Sequence, residues 1–380
     1  MKKILCIIFF IYIITPNNLV LAKENIYDEK IYNEQFNNSG ADKLFDKLPQ
    51  NVKDSFDSIG VDNNNFNNLM DISLESIFKN ILDTAKKTAP GPIKSISMIL
   101  AVILLNAIFN AIKMSLKDES LSTVLGVVST LCICMIIIRP IVNFIVKVSS
   151  IIKGITAFLF CYIPVMVGIM IASGQAISSA AFSSMMIALG EIITQVSSGF
   201  LVPLLNVFLT ISITCAISPR FNFSGICELF SKVIKWVLGF IMTVFSGLLS
   251  VKSLIGSTVD NVNSKTMKFV LSSFVPIVGS ALGDAFSTIQ GCVKLLKSGI
   301  GAFFIIAVGF IFLPVIIECI IWMFSLNICA AAGDVFELST ISKLLKNIEK
   351  VVSTLMAVIL CIMAVLIIST VVVVTLNGGT

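Results

Sequence analysis

The sequence predicts an all-α, polytopic membrane protein of about six to eight transmembrane helices with a small helical segment outside the membrane near its N-terminal end. Three observations carry this. Hydrophobic residues make up 56% of the 380 and charged residues only 13%, whereas soluble domains carry about a quarter charged. Mean hydropathy is +0.99. The apolar residues are also gathered into long uncharged blocks, which composition alone would not require.

In chain order, residues 1–22 read as a secretory signal peptide. Lys2 and Lys3 precede the short apolar run "ILCIIFFIYII", Pro16 follows, and Val20 and Ala22 suit cleavage after Ala22. An uncleaved anchor helix is the alternative, and either way the following segment is exported. Residues 23–93 form an acidic extracytoplasmic helical segment with eight lysines against twelve acidic residues, a net charge of −4. The chain from Lys94 onward holds 17 basic and 10 acidic residues. Within the acidic segment Val52, Phe56 and Ile59, then Leu74, Ile77, Phe78, Ile81 and Leu82, recur at helical spacing. So short a segment buries little by itself, and its helices are expected to lean on the membrane body, a partner or each other.

Cutting the body at its charges gives eight candidate spans, with seven or six also compatible. Residues 95–112 and 121–138 are the first two. The 37 uncharged residues between Lys153 and Glu191 are too many for one span, so a hairpin is expected to turn within "SGQAISS" (173–179). Its second leg is rich in small residues that allow close helix packing. Spans at 199–218, 236–251, 299–327 and 351–376 follow. Residues 94–251 and 299–380 thus form two transmembrane regions around an amphipathic or re-entrant region at 252–298. With eight spans, Lys113, Arg220, Lys232 and Lys343 fall in the cytoplasm, as the positive-inside tendency favours, while Arg139, Lys147 and Lys153 fall outside and fit it badly.

The chain has no histidine, which removes imidazole-based nucleophile systems and His-ligated metal sites. The ten cysteines lie mostly in apolar blocks and read as small apolar fillers. No phosphate-binding loop or dinucleotide fingerprint is present. No enzyme activity, cofactor, metal or nucleic-acid partner is therefore expected. Glu191 and Glu318 interrupt long apolar stretches. Intramembrane carboxylates face a bundle interior or a water-filled path, or else lie at helix ends and reach the interface.

The stretch "SSFVPIVGSALGDAFSTIQG" (272–291) is a poor span. Pro276 and Gly279 break a helix, which resumes as an amphipathic stretch with Asp284 in its early turns. A helix–break–helix segment enters a membrane only where protein or water satisfies the opened backbone. It is expected at an interface or pore rim, with a surface-lying amphipathic linker as the alternative.

Residues 256–301, with Gly256, Asp260, Lys265 and Lys268, the Phe-Val-Pro-x-Val-Gly run at 274–279, Asp284–Ala285, Gly291 and Lys297…Gly301, closely resemble the stage III sporulation protein AE family. The signal, acidic segment and polytopic body extend the resemblance along the chain. It implies a multi-pass protein of the mother-cell membrane around the engulfed forespore. It also implies membership of a secretion-like channel complex with other stage III A-operon products, including a cytoplasmic ATPase, and a forespore membrane partner. That complex keeps the forespore competent for late gene expression. Phe274, Pro276, Gly279 and Asp284 are motif positions without an assigned role, and self-association into a homo-oligomer is left open. A stand-alone secondary transporter and a non-conducting membrane anchor are the competing readings.

Overall fold

The computed structural model describes residues 29–59, 74–116, 119–196, scattered positions between 203 and 214, 224–274 and 279–375. Among the described residues every regular element is helical. Three short helices come first: α1 (Glu29–Asn38), α2 (Gln50–Ser58) and α3 (Leu74–Thr88), with two 3-10 turns between α1 and α2. Six longer ones follow: α4 (Pro90–Leu116), α5 (Glu119–Ala172), α6 (Ala176–Thr194), α7 (Ser224–Phe274), α8 (Gly279–Val335) and α9 (Ser339–Thr375). All six are long and apolar enough to cross a membrane, and the chain is a multi-pass membrane protein.

Among the described residues there are six such helices, within the six to eight expected, and two points account for the difference from the count of eight. The span expected at 199–218 falls largely outside the described residues. The spans expected at 121–138 and after Lys153 are one continuous helix, α5. A charge raises the cost of burial but does not end a helix, and Lys147 in mid-α5 is answered by Glu318 of α8. At about 1.5 Å per residue the 54-residue α5 is about 80 Å long, more than twice a hydrocarbon core of about 30 Å.

The core lies along α8. Its neighbours are α9, α5 and α4, with α7 closing against α9 and α6. Large rings fill the α5–α8 seam: Tyr162 stacks on Phe304 at 4.0 Å between centroids, and Phe158 stacks on the same ring at 5.6 Å. On α9 the buried positions Leu344, Leu345, Ile348, Val351, Val352 and Leu355 recur at three- and four-residue steps, one face seated against α8. A pair of buried hydroxyls, Ser231 of α7 and Thr354 of α9, lie 2.7 Å apart and satisfy each other between helices.

The acidic segment leans on the body, as its apolar stripe requires. Phe56 is fully buried and meets Phe303 and Phe310 of α8 at 5.2 and 5.4 Å, and Val52 is buried beside it. The second stripe is used only in part. Ile77 and Ile81 of α3 are half-buried, whereas Phe78 and Leu82 face outward. The reason is geometric: Phe78 and Leu82 each lie one residue, about 100°, further round the helix, off the face turned to the body.

Candidate functional site: a cap supplied from another helix

The α5–α6 hairpin turns where expected. Gly174 has φ 77, a left-handed conformation that costs a side-chain-bearing residue about 1–2 kcal/mol. Around it the Gly174 N–H donates to the Ile171 carbonyl at 2.9 Å, and the Gln175 N–H to Met170 at 2.9 Å. This paired reversal satisfies the last carbonyls of α5.

The start of α6 lacks the corresponding device. Gln175 occupies its N-cap position and makes no side-chain cap bond. The orphan N–H groups are met from α7 instead. Asp260 Oδ1 accepts the Ile177 N–H at 3.1 Å and Oδ2 accepts the Ser178 N–H at 2.8 Å. These are the second and third helical positions, the groups that a local Asp cap would serve. Asp260 is 2% exposed, so the carboxylate is held by two charge-assisted bonds and by the positive end of the α6 dipole.

Gly256 lies one turn before Asp260 on α7 and makes this approach possible. A Cβ there would sit 3.0 Å from Ser178 Oγ, 3.1 Å from its Cα and 3.3 Å from its N. The two backbones are in contact, with no room for a side chain between them.

The opposite charge comes from α8. Lys297 is 2% exposed, and its Nζ donates to Gln175 Oε1 at 3.0 Å. About two turns earlier, Gln290 Nε2 donates to the Ser173 carbonyl at 3.4 Å. A cation beside the carbonyl end of α5 and a carboxylate at the amide end of α6 each complement the dipole they face. The hairpin turn is therefore held on two sides by groups from α7 and α8, and these groups act as structural ties. Among the described residues no three Cys, Asp or Glu gather as a metal site.

The residues singled out in the sequence are placed as follows. Phe274 ends α7 and Gly279 begins α8, with Asp284 in the first turns of α8; the side chains of Phe274 and Asp284 lie outside what the structure describes. Pro276 lies outside them altogether. Glu191 sits on the outer surface near the end of α6 and does not face the bundle interior. Glu318 pairs with Lys147 and is 13% exposed, against 48% for the lysine. Of these, Glu191 and Glu318 take no part in the described contacts at Asp260. Gly256, Asp260 and Lys297 belong to the familiar motif, but their convergence on residues 173–178 was not foreseen. The available signal was the four-residue step from Gly256 to Asp260, which places both on one helical face.

A cavity of about 770 Å³ lies between α2, α3, α5 and α8, bordered by Asp54, Lys79, Asp83, Lys147 and Pro314. Its wall carries both signs of charge and marks the acidic segment's seat on the body.

No solved structure matches the chain. One similar curated protein is stage III sporulation protein AE of Bacillus subtilis (strain 168), 25% identical over 207 residues, which are 53% of this chain and 52% of that relative. The match thus spans about half the length of each. A profile of the stage III sporulation protein AE family matches residues 60–377, taking in the α5–α6 turn and both helices that hold it. The chain belongs to the stage III sporulation protein AE family.

Proposed function

We propose that the protein is a non-catalytic, membrane-embedded component of a sporulation-specific, secretion-like channel complex joining the mother cell to the engulfed forespore. The observation that carries this reading is the family match across residues 60–377, which includes nearly the whole helical body. In this reading the protein sits in the mother-cell membrane with its acidic segment in the space between the two membranes. It assembles there with other stage III A-operon products, a cytoplasmic ATPase among them, and with a forespore membrane partner. The complex supports late forespore gene expression. The ties between α6, α7 and α8 suit a platform that must hold its shape while a separate subunit supplies energy.

A clean deletion in the source organism tests the proposal, scored for vegetative growth, heat-resistant spores and the appearance of engulfed forespores. The expected result is normal growth with forespores that engulf and then stall or collapse. A growth defect with normal spores would overturn it and favour a stand-alone transporter.

A further inference from the structure

The charges along four helices agree on where a bilayer lies. On α8 the 20 residues between Lys297 and Glu318 are uncharged, about 30 Å of helix and the thickness of a hydrocarbon core. Antiparallel α5 covers the same length, since Gln175 of its turn meets Lys297 at one end and Lys147 meets Glu318 at the other. Uncharged runs begin after Lys235 on α7 and after Lys350 on α9. These two starts coincide, because Ser231 meets Thr354 and Cys361 meets the Leu238 carbonyl. The α9 run then passes along the α8 run, with Thr370 beside Gly301. Beyond Glu318 the agreement ends. There Ser342 lies beside Gly333, and α9 exposes Lys343 and Lys346.

At this level the flanks of the protein differ. The outward side of α7 presents Trp236, Phe240, Val244 and Leu248, all exposed, as contact with lipid requires. The flank built by α2 and α3 presents charge. Phe56 of α2 rests on Phe303 and Phe310, midway along the uncharged run of α8. The larger cavity sets Asp54, Lys79 and Asp83 beside Phe310, Ile311 and Leu313 of that run. Asp54 and Asp57 are exposed, and the side chains of Asp83 and Lys86 remain 52% and 68% exposed. Helix α5 adds to the same flank. Its one charge between Lys147 and the hairpin turn is Lys153, exposed beside Gly154 at the cavity's edge. Charged groups at hydrocarbon depth are tolerated only where they meet protein or a water-filled space.

We propose that the α2–α3 flank lines a water-filled lumen at mid-membrane depth, with α7 turned to the lipid. The proposal rests on the channel reading and assigns this chain a part of the conduit's wall. Neighbouring subunits of the complex complete that wall, because one chain does not enclose a lumen. The lumen opens to the space that receives the acidic segment, and α2 and α3 dip into it from there. Asp54, Asp57, Lys79 and Asp83 border the path. With both signs of charge among them, they suit small hydrated solutes of either sign.

The full chain is tested within its complex, in open membrane fragments from sporulating cells of the source organism. A membrane-impermeant maleimide labels cysteines that water reaches, and the native cysteines set the wild-type background. Asp57→Cys is expected to label several-fold above that background, and Val244→Cys no more than it. Oxidation should join Phe56→Cys to Phe303→Cys, which places the labelled helix at the middle of the α8 run. Should that pair destabilise the chain, Ser55→Cys and Leu313→Cys, which both border the cavity, are bridged with a bis-maleimide instead. An unlabelled Asp57→Cys, a labelled Val244→Cys, or an α2 that neither pair joins to α8 would overturn the proposal. The channel reading fails separately: a deletion strain with normal spores removes it, whatever the labels report. A deletion strain whose forespores stall, with Asp57→Cys unlabelled, removes the lumen and leaves the channel.

Discussion

Asp260 completes a helix to which it does not belong: its carboxylate accepts the Ser178 N–H at 2.8 Å across 82 positions of sequence. Removing it leaves two N–H donors of α6 unmet, one buried at Ser178 and one part-buried at Ile177. Asp260→Ala is expected to cost about 2–3 kcal/mol, the range for a charge-assisted cap in a buried setting. Asp260→Asn, which keeps one acceptor oxygen, should lose less. The thermal unfolding midpoint in detergent checks the order wild type, Asn, Ala, and equal midpoints would refute the cap.

Gly256 acts on the same contact by a different route. Gly256→Ala places a Cβ 3.0–3.3 Å from three Ser178 atoms, an overpacking worth about 1–3 kcal/mol. Because the displaced α7 also carries Asp260 away from Ser178, the double variant Gly256→Ala/Asp260→Ala should be less destabilised than the sum of the single effects. Strict additivity would show that the two residues do not share one contact.

Gly174 provides a backbone test of the hairpin. Any residue with a Cβ must adopt φ 77 there, so Gly174→Ala is expected to cost about 1–2 kcal/mol. Gly91 has open space around it and lies early in α4, where Gly91→Ala should be neutral or mildly stabilising. The pair of variants, compared by thermal unfolding, separates strain at the turn from a general effect of added methyl groups.

The tie between α5 and α8 can be reversed. Lys147→Glu opposes two carboxylates, since Glu318 is the group it faces, and lowers the unfolding midpoint. Lys147→Glu/Glu318→Lys restores attraction and should recover most of the loss. The coupling, read from a double-mutant cycle, is expected near the upper end for surface pairs, about 1 kcal/mol, because Lys147 remains half exposed. A swap no better than the single variant would mean that the pair contributes nothing.

Phe56 anchors the acidic segment. Phe56→Ala removes a fully buried ring from between Phe303 and Phe310 and is expected to cost about 3–5 kcal/mol. The loss should fall on the seat of α2, so limited proteolysis ought to clip the N-terminal segment while a helical body fragment survives. An intact segment under those conditions would count against the anchor.

What the sequence disclosed follows from what is local. The apolar steps of Val52 and Phe56 and the small-residue turn near Gly174 both arise from neighbouring residues, while the break expected at Pro276 lies outside the described residues. The structure places helices and turns accordingly. Arg139, Lys147 and Lys153 divide residues 121–138 from the next apolar run in the sequence, whereas one helix runs through all three. The partner that lets Lys147 stay within α5 lies 171 positions away. For Glu191 the sequence left an interior path and a helix end at the interface both open, and the residue lies exposed near the end of α6. Asp260 carried no local sign of its role, since its partners are backbone N–H groups, which every residue except proline possesses.

The long-range ties share a direction in time. Phe56 finds Phe303 and Phe310, Lys147 finds Glu318, Gln175 finds Lys297, and Ser178 finds Asp260. In every case the first partner leaves the ribosome well before the second. During synthesis α6 therefore begins with bare amide groups, and Phe56 has nothing to rest on until α8 is made. A chain terminated before α8 retains its hairpin but cannot seat its N-terminal segment, so quality control has a long interval in which to recognise an unfinished protein.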